Sequence, residues 1–461
     1  MLRLTALLRD AREHDDGVSI VEVLVAMTVF AMIAAGVAMG IASSLYLTHG
    51  SRSREVAISL AQDGIDRART STNLFGVVDG TSVQRVAGID YRVVQTARWV
   101  ASSGTANACG SGGGPLAYKR VAMTISWSAG GRGSDQSVAM NSMVAPTSAV
   151  TAAGLGTIIV SVSRVDGGGN QGAVVSIAPA ATNPDGAGPV TSTVPVTDAT
   201  GCSYALNVKP GRYDVSVTKP GNIDDGTSSG SLGAQTATPS TSVRVGANQT
   251  AAANMNYDTA LTVAPQWGDP NAPTTAFTAP TTMPVTLRRK TADQGPFAVG
   301  TTTQVFPFTD GYKAVAGVPA TCASTDPENW TTASGTAVAP RSPGQPVVGT
   351  NAVRAPVQLV TITLPTNSVN EVLANSVAPV PNSGDPGCAK GAQYRFTKLP
   401  LGQPVTIALP YGTWSLQSGR TAVNLLGIIT ITTPTTVTGI QAAPGVAPTA
   451  DRVLLDPRRA P

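Results

Sequence analysis

An apolar run near the N-terminus constrains this chain more than any other feature. Residues 23–42 are apolar apart from Thr28, and about 20 such residues span the hydrocarbon core of a bilayer as a helix. Counted from Val18, the apolar stretch contains one carboxylate, Glu22. An ionised side chain at mid-bilayer depth costs roughly 2.5–3.5 kcal/mol. The run therefore predicts a membrane-spanning helix, and Glu22 is a candidate functional residue.

The polar segment before the run offers a partner for this carboxylate. If the chain is cut after Gly17, Val18 becomes a cationic amine about one helical turn from Glu22. An opposite charge at that spacing offsets the cost of burying Glu22. The amine would belong to the same chain or to a neighbouring copy.

Residues 17–26 read GVSIVEVLVA and resemble the prepilin cleavage and methylation motif of type IV pilins and type II secretion pseudopilins. The resemblance implies that residues 1–17 are a leader, removed after Gly17 by a prepilin peptidase. It also implies N-methylation of Val18 and assembly with other pilin subunits, guided by Glu22. Before assembly, membrane lipid would surround the helix.

Two features of the motif differ from the usual pattern. Val18 replaces an aromatic residue, and Asp15 and Asp16 stand where Lys or Arg is common. Two alternatives stay open: an uncleaved signal anchor, and a secretory signal peptide cut near residues 38–40, where small residues flank Met39. The apolar run is longer than a typical signal-peptide core, which favours the prepilin interpretation.

The pattern beyond the apolar run predicts an α+β pilin-like N-terminal part. Ile58, Ala61, Ile65 and Ala68 form one apolar stripe, as on an amphipathic helix. We therefore expect one long helix over residues 18–72, with its transmembrane half at about 18–47. Residues 73–147 contain alternating strand patterns and predict a β head. A helix followed by an antiparallel meander is similar to the order of elements in pilins.

All-β sandwich domains are expected after this head. Residues 155–259 predict one module, and residues 198–217 resemble the carboxypeptidase-regulatory or prealbumin-like β-sandwich. Residues 260–450 are rich in Thr and Pro. Residues 408–416 echo residues 208–215, so we expect a second sandwich at about 350–445, preceded by an irregular region that contains Cys322. Residues 451–461 are expected to form a loose tail.

The four cysteines form no C-x-x-C pair, so they give little support to a zinc or thioredoxin-type site. An extracytoplasmic location would favour disulfides. We favour a Cys322–Cys388 bond, which would stabilise the fold by roughly 4 kcal/mol in the chain-entropy model. Cys109 could pair with Cys202, and free thiols are an equal alternative.

The composition offers little catalytic chemistry. The two histidines are His14, in the leader, and His49, beside the apolar run, so histidine-dependent catalytic and metal sites are not expected. We predict no enzyme activity, no cofactor and no metal. A formal net charge of +4 over 461 residues gives no footprint for nucleic acid. Six acids are expected in solvated turns, with weak Ca²⁺ binding as the alternative: Asp166, Asp185, Asp224, Asp225, Asp326 and Glu328.

These expectations combine into a minor pilin-like subunit. The precursor would cross the membrane once with its C-terminal domains outside the cytoplasm, and the processed chain would enter a surface filament. The β modules would serve adhesion or contact a partner, although core or turn packing is the favoured role of Trp267, Trp330 and Trp414. The alternatives are a pseudopilin of a type II-like secretion system and an uncleaved, membrane-anchored adhesin.

Overall fold

The computed structural model describes residues 19–101, 106–107, 109, 116–128, 135–146, 151–227, 233–268, 276–289, 292–331, 351–424 and 428–459. It consists of one long N-terminal helix followed by many β-strands, in agreement with the predicted helix-plus-sandwich fold class. The chain divides into two compact units. The first unit comprises residues 1–98 and 118–147, and the second unit comprises residues 99–117 and 148–461.

Helix α1 extends from Ile20 to Thr70 and has 51 residues, a length of about 77 Å. It begins after Ser19 and ends before Ser71, both of which have extended backbone angles. Its buried residues all lie in the C-terminal half and are mostly small: Ser53, Ala57, Ala61, Gly64, Ile65 and Ala68. Small side chains on this face let a sheet approach the helix closely.

The sheet of the head follows a short 3₁₀ turn at Leu74–Gly76. Its strand order is β1-β2-β4-β5, with β3 paired to β2. The inward side chains of β4 alternate as the sequence predicts, and Val121, Met123, Ile125 and Trp127 are buried. The strands are β1 (Gly80–Val86), β2 (Ile89–Ala101), β3 (Ala106–Asn107), β4 (Leu116–Ser128) and β5 (Asp135–Val144).

Residues 155–259 form the first β module, a sandwich of two sheets with strand orders β10-β12-β6-β8 and β11-β9-β7. Strand β6 pairs in parallel with β12, at the far end of the module sequence. Tyr213, Val215 and Val217 share one buried face of β9. The strands are β6 (Gly156–Ser163), β7 (Val174–Pro179), β8 (Cys202–Val208), β9 (Gly211–Thr218), β10 (Asn222–Asp224), β11 (Ser240–Val245) and β12 (Thr250–Thr259).

The second β module is larger than the sequence suggested. One hydrophobic core extends from Leu261 to Leu455, so residues 260–350 are not merely an irregular preface to a sandwich. Its strands are β13 (Leu261–Trp267), β14 (Val285–Arg289), β15 (Ala292–Phe297), β16 (Thr303–Val305), β17 (Lys313–Ala316), β18 (Asn351–Ala355), β19 (Gln358–Thr363), β20 (Val372–Ser376), β21 (Gln393–Phe396), β22 (Pro404–Leu409), β23 (Gly412–Val423), β24 (Ile429–Thr436), β25 (Val446–Pro448) and β26 (Val453–Leu455).

Residues 451–459 contain a strand and a 3₁₀ turn, contrary to the expected loose tail. Strand β26 pairs with β23 and β25, and Val453 and Leu455 are fully buried. Arg458 donates a hydrogen bond from Nη1 to the carbonyl oxygen of Thr331 at 2.8 Å. The tail is therefore part of the second module, because its apolar strand completes a sheet.

The echo between the two modules is structural as well as sequential. Tyr213 donates from its hydroxyl to the carbonyl oxygen of Lys209 at 2.8 Å. Trp414 donates from Nε1 to the carbonyl oxygen of Pro410 at 3.0 Å. In each case a glycine two residues before the aromatic has a positive φ, which disfavours any residue with a side chain. The shared pattern is a turn fastened by the first inward aromatic of the next strand.

Candidate assembly site

Glu22 lies in the first turn of α1 and its side chain is exposed. Its backbone N–H donates to the carbonyl oxygen of Ser19 at 2.9 Å. A carboxylate in the first turn interacts favourably with the helix dipole. Glu22 also lines a shallow apolar depression on the helix surface together with Val23, Ala26, Met27 and Phe30. The acid is therefore presented outward beside apolar side chains.

The surface that follows Glu22 is apolar and exposed. Ile20 is 81% exposed, Phe30 73% and Leu47 72%, and no Asp, Glu, Lys or Arg occurs between Glu22 and Arg52. The helix is long and apolar enough to cross a membrane, a criterion that a signal sequence also meets. Thr28 satisfies its hydroxyl within the helix by donating to the carbonyl oxygens of Leu24 and Val25.

Four charged side chains near the C-terminal end of α1 have local partners. Asp63 and Arg67 form an ion pair of 2.8 Å, and Arg69 pairs with Asp66 while donating to the hydroxyl of Ser142 at 3.0 Å. Within the described residues, Glu22 forms no ion pair. Gly17 and Val18 lie outside those residues, so cleavage, methylation and the pairing of Glu22 with an amine stay predictions.

The four cysteines form two disulfides, and both pairings considered from the sequence are present. Cys322 is joined to Cys388, with a Cα–Cα distance of 3.8 Å, and Cys109 is joined to Cys202, with a Cα–Cα distance of 5.4 Å. No cysteine is free. Both bonds lie within the second unit.

A buried charge cluster corrects the expectation that Asp326 is a solvated turn residue. The Asp326 side chain is inaccessible and accepts from Arg288 Nη1 at 2.7 Å. Arg288 also pairs with Asp293 at 2.6 Å, and the hydrogen bonding of its guanidinium to the Asp293 carboxylate raises the pKa of Arg288. Lys313 lies 3.4 Å from Asp326 and contacts Glu328. The sequence around Asp326 did not reveal its burial, because its cationic partners Arg288 and Lys313 lie on two separate strands, β14 and β17.

The other turn acids divide into buried and exposed groups. Asp224 and Asp225 are buried, and Asp225 accepts hydrogen bonds from Thr227 and Asn256. Asp166 is exposed and pairs with Arg164 at 2.9 Å. Asp185 is half-buried and pairs with Arg244 at 2.7 Å. Among the described residues, no group of three or more His, Cys, Asp or Glu side chains is placed to hold a metal ion.

The tryptophans singled out in the sequence face inward. Trp330 and Trp414 are fully buried, and Trp330 donates from Nε1 to the carbonyl oxygen of Ser324 at 2.7 Å. Trp267 is partly buried against the core of the second module. Core packing therefore accounts for all three side chains, in agreement with the favoured prediction.

Comparison with known proteins leaves the family open. No family model matches the chain, and no curated protein matches it. Among solved structures, the Bacillus anthracis TIE protein is 11% identical, with a TM-score of 0.18, 78% of this chain covered and 71% of that chain. BcpA, the major pilin subunit of Bacillus cereus, is 12% identical, with a TM-score of 0.18, 66% of this chain covered and 95% of that chain. A variant of BcpA is 13% identical, with a TM-score of 0.17, 61% of this chain covered and 95% of that chain. Likeness at these TM-scores supports no argument about family or function.

Proposed function

We propose that this chain is a minor type IV pilin-like subunit that assembles through its N-terminal helix into a surface filament. The supporting observation is the composition of α1. Its N-terminal half presents an exposed apolar surface with Glu22 in the first turn, and its C-terminal half packs small residues against a sheet. One helix thus combines a lipid-compatible half with a half that holds a folded head.

In this proposal, a prepilin peptidase cuts the chain after Gly17 and Val18 becomes the new N-terminus. The amine of one subunit pairs with Glu22 of its own or a neighbouring chain, which offsets the cost of burying both charges. Repetition of one such heterologous contact builds an open helical filament. The apolar surface of α1 then exchanges lipid for neighbouring helices.

The β modules follow the head in sequence and would be displayed by the filament for adhesion or contact with a partner. Their bulk suits a minor subunit better than a repetitive major one. The chain is then the substrate of a processing enzyme and not itself an enzyme. It crosses the membrane once as a precursor, with its modules outside the cytoplasm.

Mass spectrometry of the mature N-terminus tests processing directly. The proposal requires N-methylated Val18 as the first residue. An intact Met1 on the functional protein would contradict the proposal and favour an uncleaved, membrane-anchored adhesin. Cleavage near residues 38–40 would instead identify a secretory signal peptide.

Substitution of Glu22 tests assembly separately. We expect Glu22→Ala to preserve membrane insertion and cleavage but to prevent incorporation into filaments. Glu55→Ala is the matched control, because Glu55 is an exposed acid of the same helix outside the apolar half. Equal incorporation of the two variants would overturn the role of Glu22. A secretion defect on deletion, with adhesion unchanged, would favour a pseudopilin.

A further inference from the structure

The segment of residues 99–117 belongs to the second unit, although the residues on both sides of it belong to the first. The chain therefore passes between the units three times, at residues 98–99, 117–118 and 147–148. Within this segment, Cys109 is only 4% exposed. Its disulfide partner Cys202 is the first residue of β8, which pairs with β6 through Ser161. The segment is thus bonded covalently to a sheet of the first β module.

The Cys109–Cys202 bond closes a loop that contains strands of both the head and the first β module. The sequence separation of Cys109 and Cys202 is 93, so residues 110–201 lie inside the loop. They include β4 and β5 of the head, β6 and β7 of the first β module, and the small-residue linker from Thr147 to Gly154. Force applied at the two ends of the chain reaches Cys109 from one side and Cys202 from the other, and crosses the disulfide between them.

We propose that the Cys109–Cys202 disulfide, and not the 147–154 linker, bears tension between the first unit and the β modules. While the bond is closed, the covalent path between the two ends of the chain crosses the disulfide and bypasses the linker, so the linker can extend no further than the disulfide path allows. The same holds for β6 and β7, which the bond protects from being pulled out through the linker. This inference does not depend on the proposed function.

The bypassed length is large enough to measure. An extended chain spans at most 3.3–3.6 Å per residue, so residues 110–201 have an extended length of about 320 Å when the bond is absent. The Cys322–Cys388 bond has a sequence separation of 66, and the residues inside it store about 230 Å. Its loop lies within the second β module and does not include the linker. A Cys322→Ser, Cys388→Ser double variant is therefore a matched control for a Cys109→Ser, Cys202→Ser double variant.

A cleavage experiment tests whether the bond alone connects the two parts. A recognition site for a sequence-specific protease is inserted between Thr147 and Ser148 of the full chain, which is then cut and run on a denaturing gel without reductant. We expect one band for the wild type and for the Cys322/Cys388 control, and two for the Cys109/Cys202 variant. Two bands from the non-reduced wild type would overturn the proposal.

Optical tweezers test the load path itself. The full chain is held in detergent by handles at both ends, before and after cutting the linker. We expect unchanged unfolding forces after the cut, and loss of the tether only when reductant is added. Complete unfolding of the Cys109/Cys202 variant should give about 320 Å more length than the wild type. A lower unfolding force after the linker is cut would show that the linker bears load, and would overturn the proposal. Cutting needs no substitution of cysteine, so the test survives if the double variant fails to fold.

Discussion

Gln235 and Gln294 join the two β modules through side-chain amides that each accept one hydrogen bond and donate one. Gln294 accepts a hydrogen bond from the backbone N–H of Gln235 at 3.1 Å and donates from Nε2 to the carbonyl oxygen of Gly233 at 3.0 Å. The Gln235 amide in turn accepts from the N–H of Phe306 and donates to the hydroxyl of Tyr312, both at 2.8 Å. The loop of one module is thus bound by four directional bonds to β15 of the next module and to residues that flank β16 and β17.

Removal of the Gln294 amide should weaken this junction. Gln294 is buried, so Gln294→Ala leaves the carbonyl of Gly233 and the N–H of Gln235 without this partner. We expect the free energy of unfolding to fall by about 1–3 kcal/mol, measured by urea unfolding with tryptophan fluorescence. Gln441→Ala, at an exposed position, is the control and should change it by less than about 0.5 kcal/mol. Equal midpoints for both variants would contradict the expected role.

Gly64 should tolerate no side chain at the contact of α1 with the head sheet. A Cβ atom at Gly64 would lie 2.3 Å from Cε of Met123, so Gly64→Ala overpacks the core and should cost about 1–3 kcal/mol. Nothing lies within 4 Å of a Cβ at Gly50, where the same change should raise helix stability by up to about 1 kcal/mol. Thermal unfolding distinguishes the two. Combining Gly64→Ala with Met123→Val should recover part of the loss, and a purely additive result would show that the clash is not the cause.

Asp326 should contribute strongly to the stability of the second β module. Asp326→Asn removes the buried charge that neutralises the partly buried Arg288 and Lys313, and breaking a buried ion pair costs about 3–5 kcal/mol. Asp166→Asn makes the same chemical change at a side chain that is 60% exposed, and should have little effect. Chemical denaturation of both variants at neutral pH measures the difference. Similar stabilities would mean that the cluster is dispensable.

The lowered pKa of Glu371 predicts that its contribution to stability is lost in acid. Burial raises its pKa, but hydrogen bonds from Thr421 and from Arg395 outweigh burial and hold the pKa below its ordinary value of 4.5. The folded state therefore binds this proton less readily than the unfolded state. The stabilisation is complete above about pH 4.5 and is lost as the pH falls through the lower, folded pKa. Urea midpoints from pH 6 to pH 3 should fall less steeply in Glu371→Gln than in the wild type. Identical slopes would show that Glu371 does not contribute to the acid sensitivity of the fold.

Much of the fold follows from short-range patterns. The apolar stripe from Ile58 to Ala68 predicted the packed half of α1, and alternation from Val121 to Trp127 predicted the buried face of β4. These elements are visible in sequence because their period equals that of the helix or strand.

Features set by distant partners were not visible in the same way. Asp326 is followed by Pro327, as in a solvated turn, but its partner Arg288 lies 38 residues away. Strand β18 pairs in parallel with β13, so that Val263 meets Asn351. No local pattern near residue 351 specifies that pairing. Strand β26 has three residues, too few for alternation to reveal it.

Helix α1 has no break between its exposed half and the residues that hold the head sheet. An axial displacement at Ile20 is therefore transmitted along the rod to Ala57 and Ala61, at 1.5 Å of rise per residue and without an intervening joint. Withdrawal of the N-terminal half from a lipid layer would therefore move the head outward by the same distance.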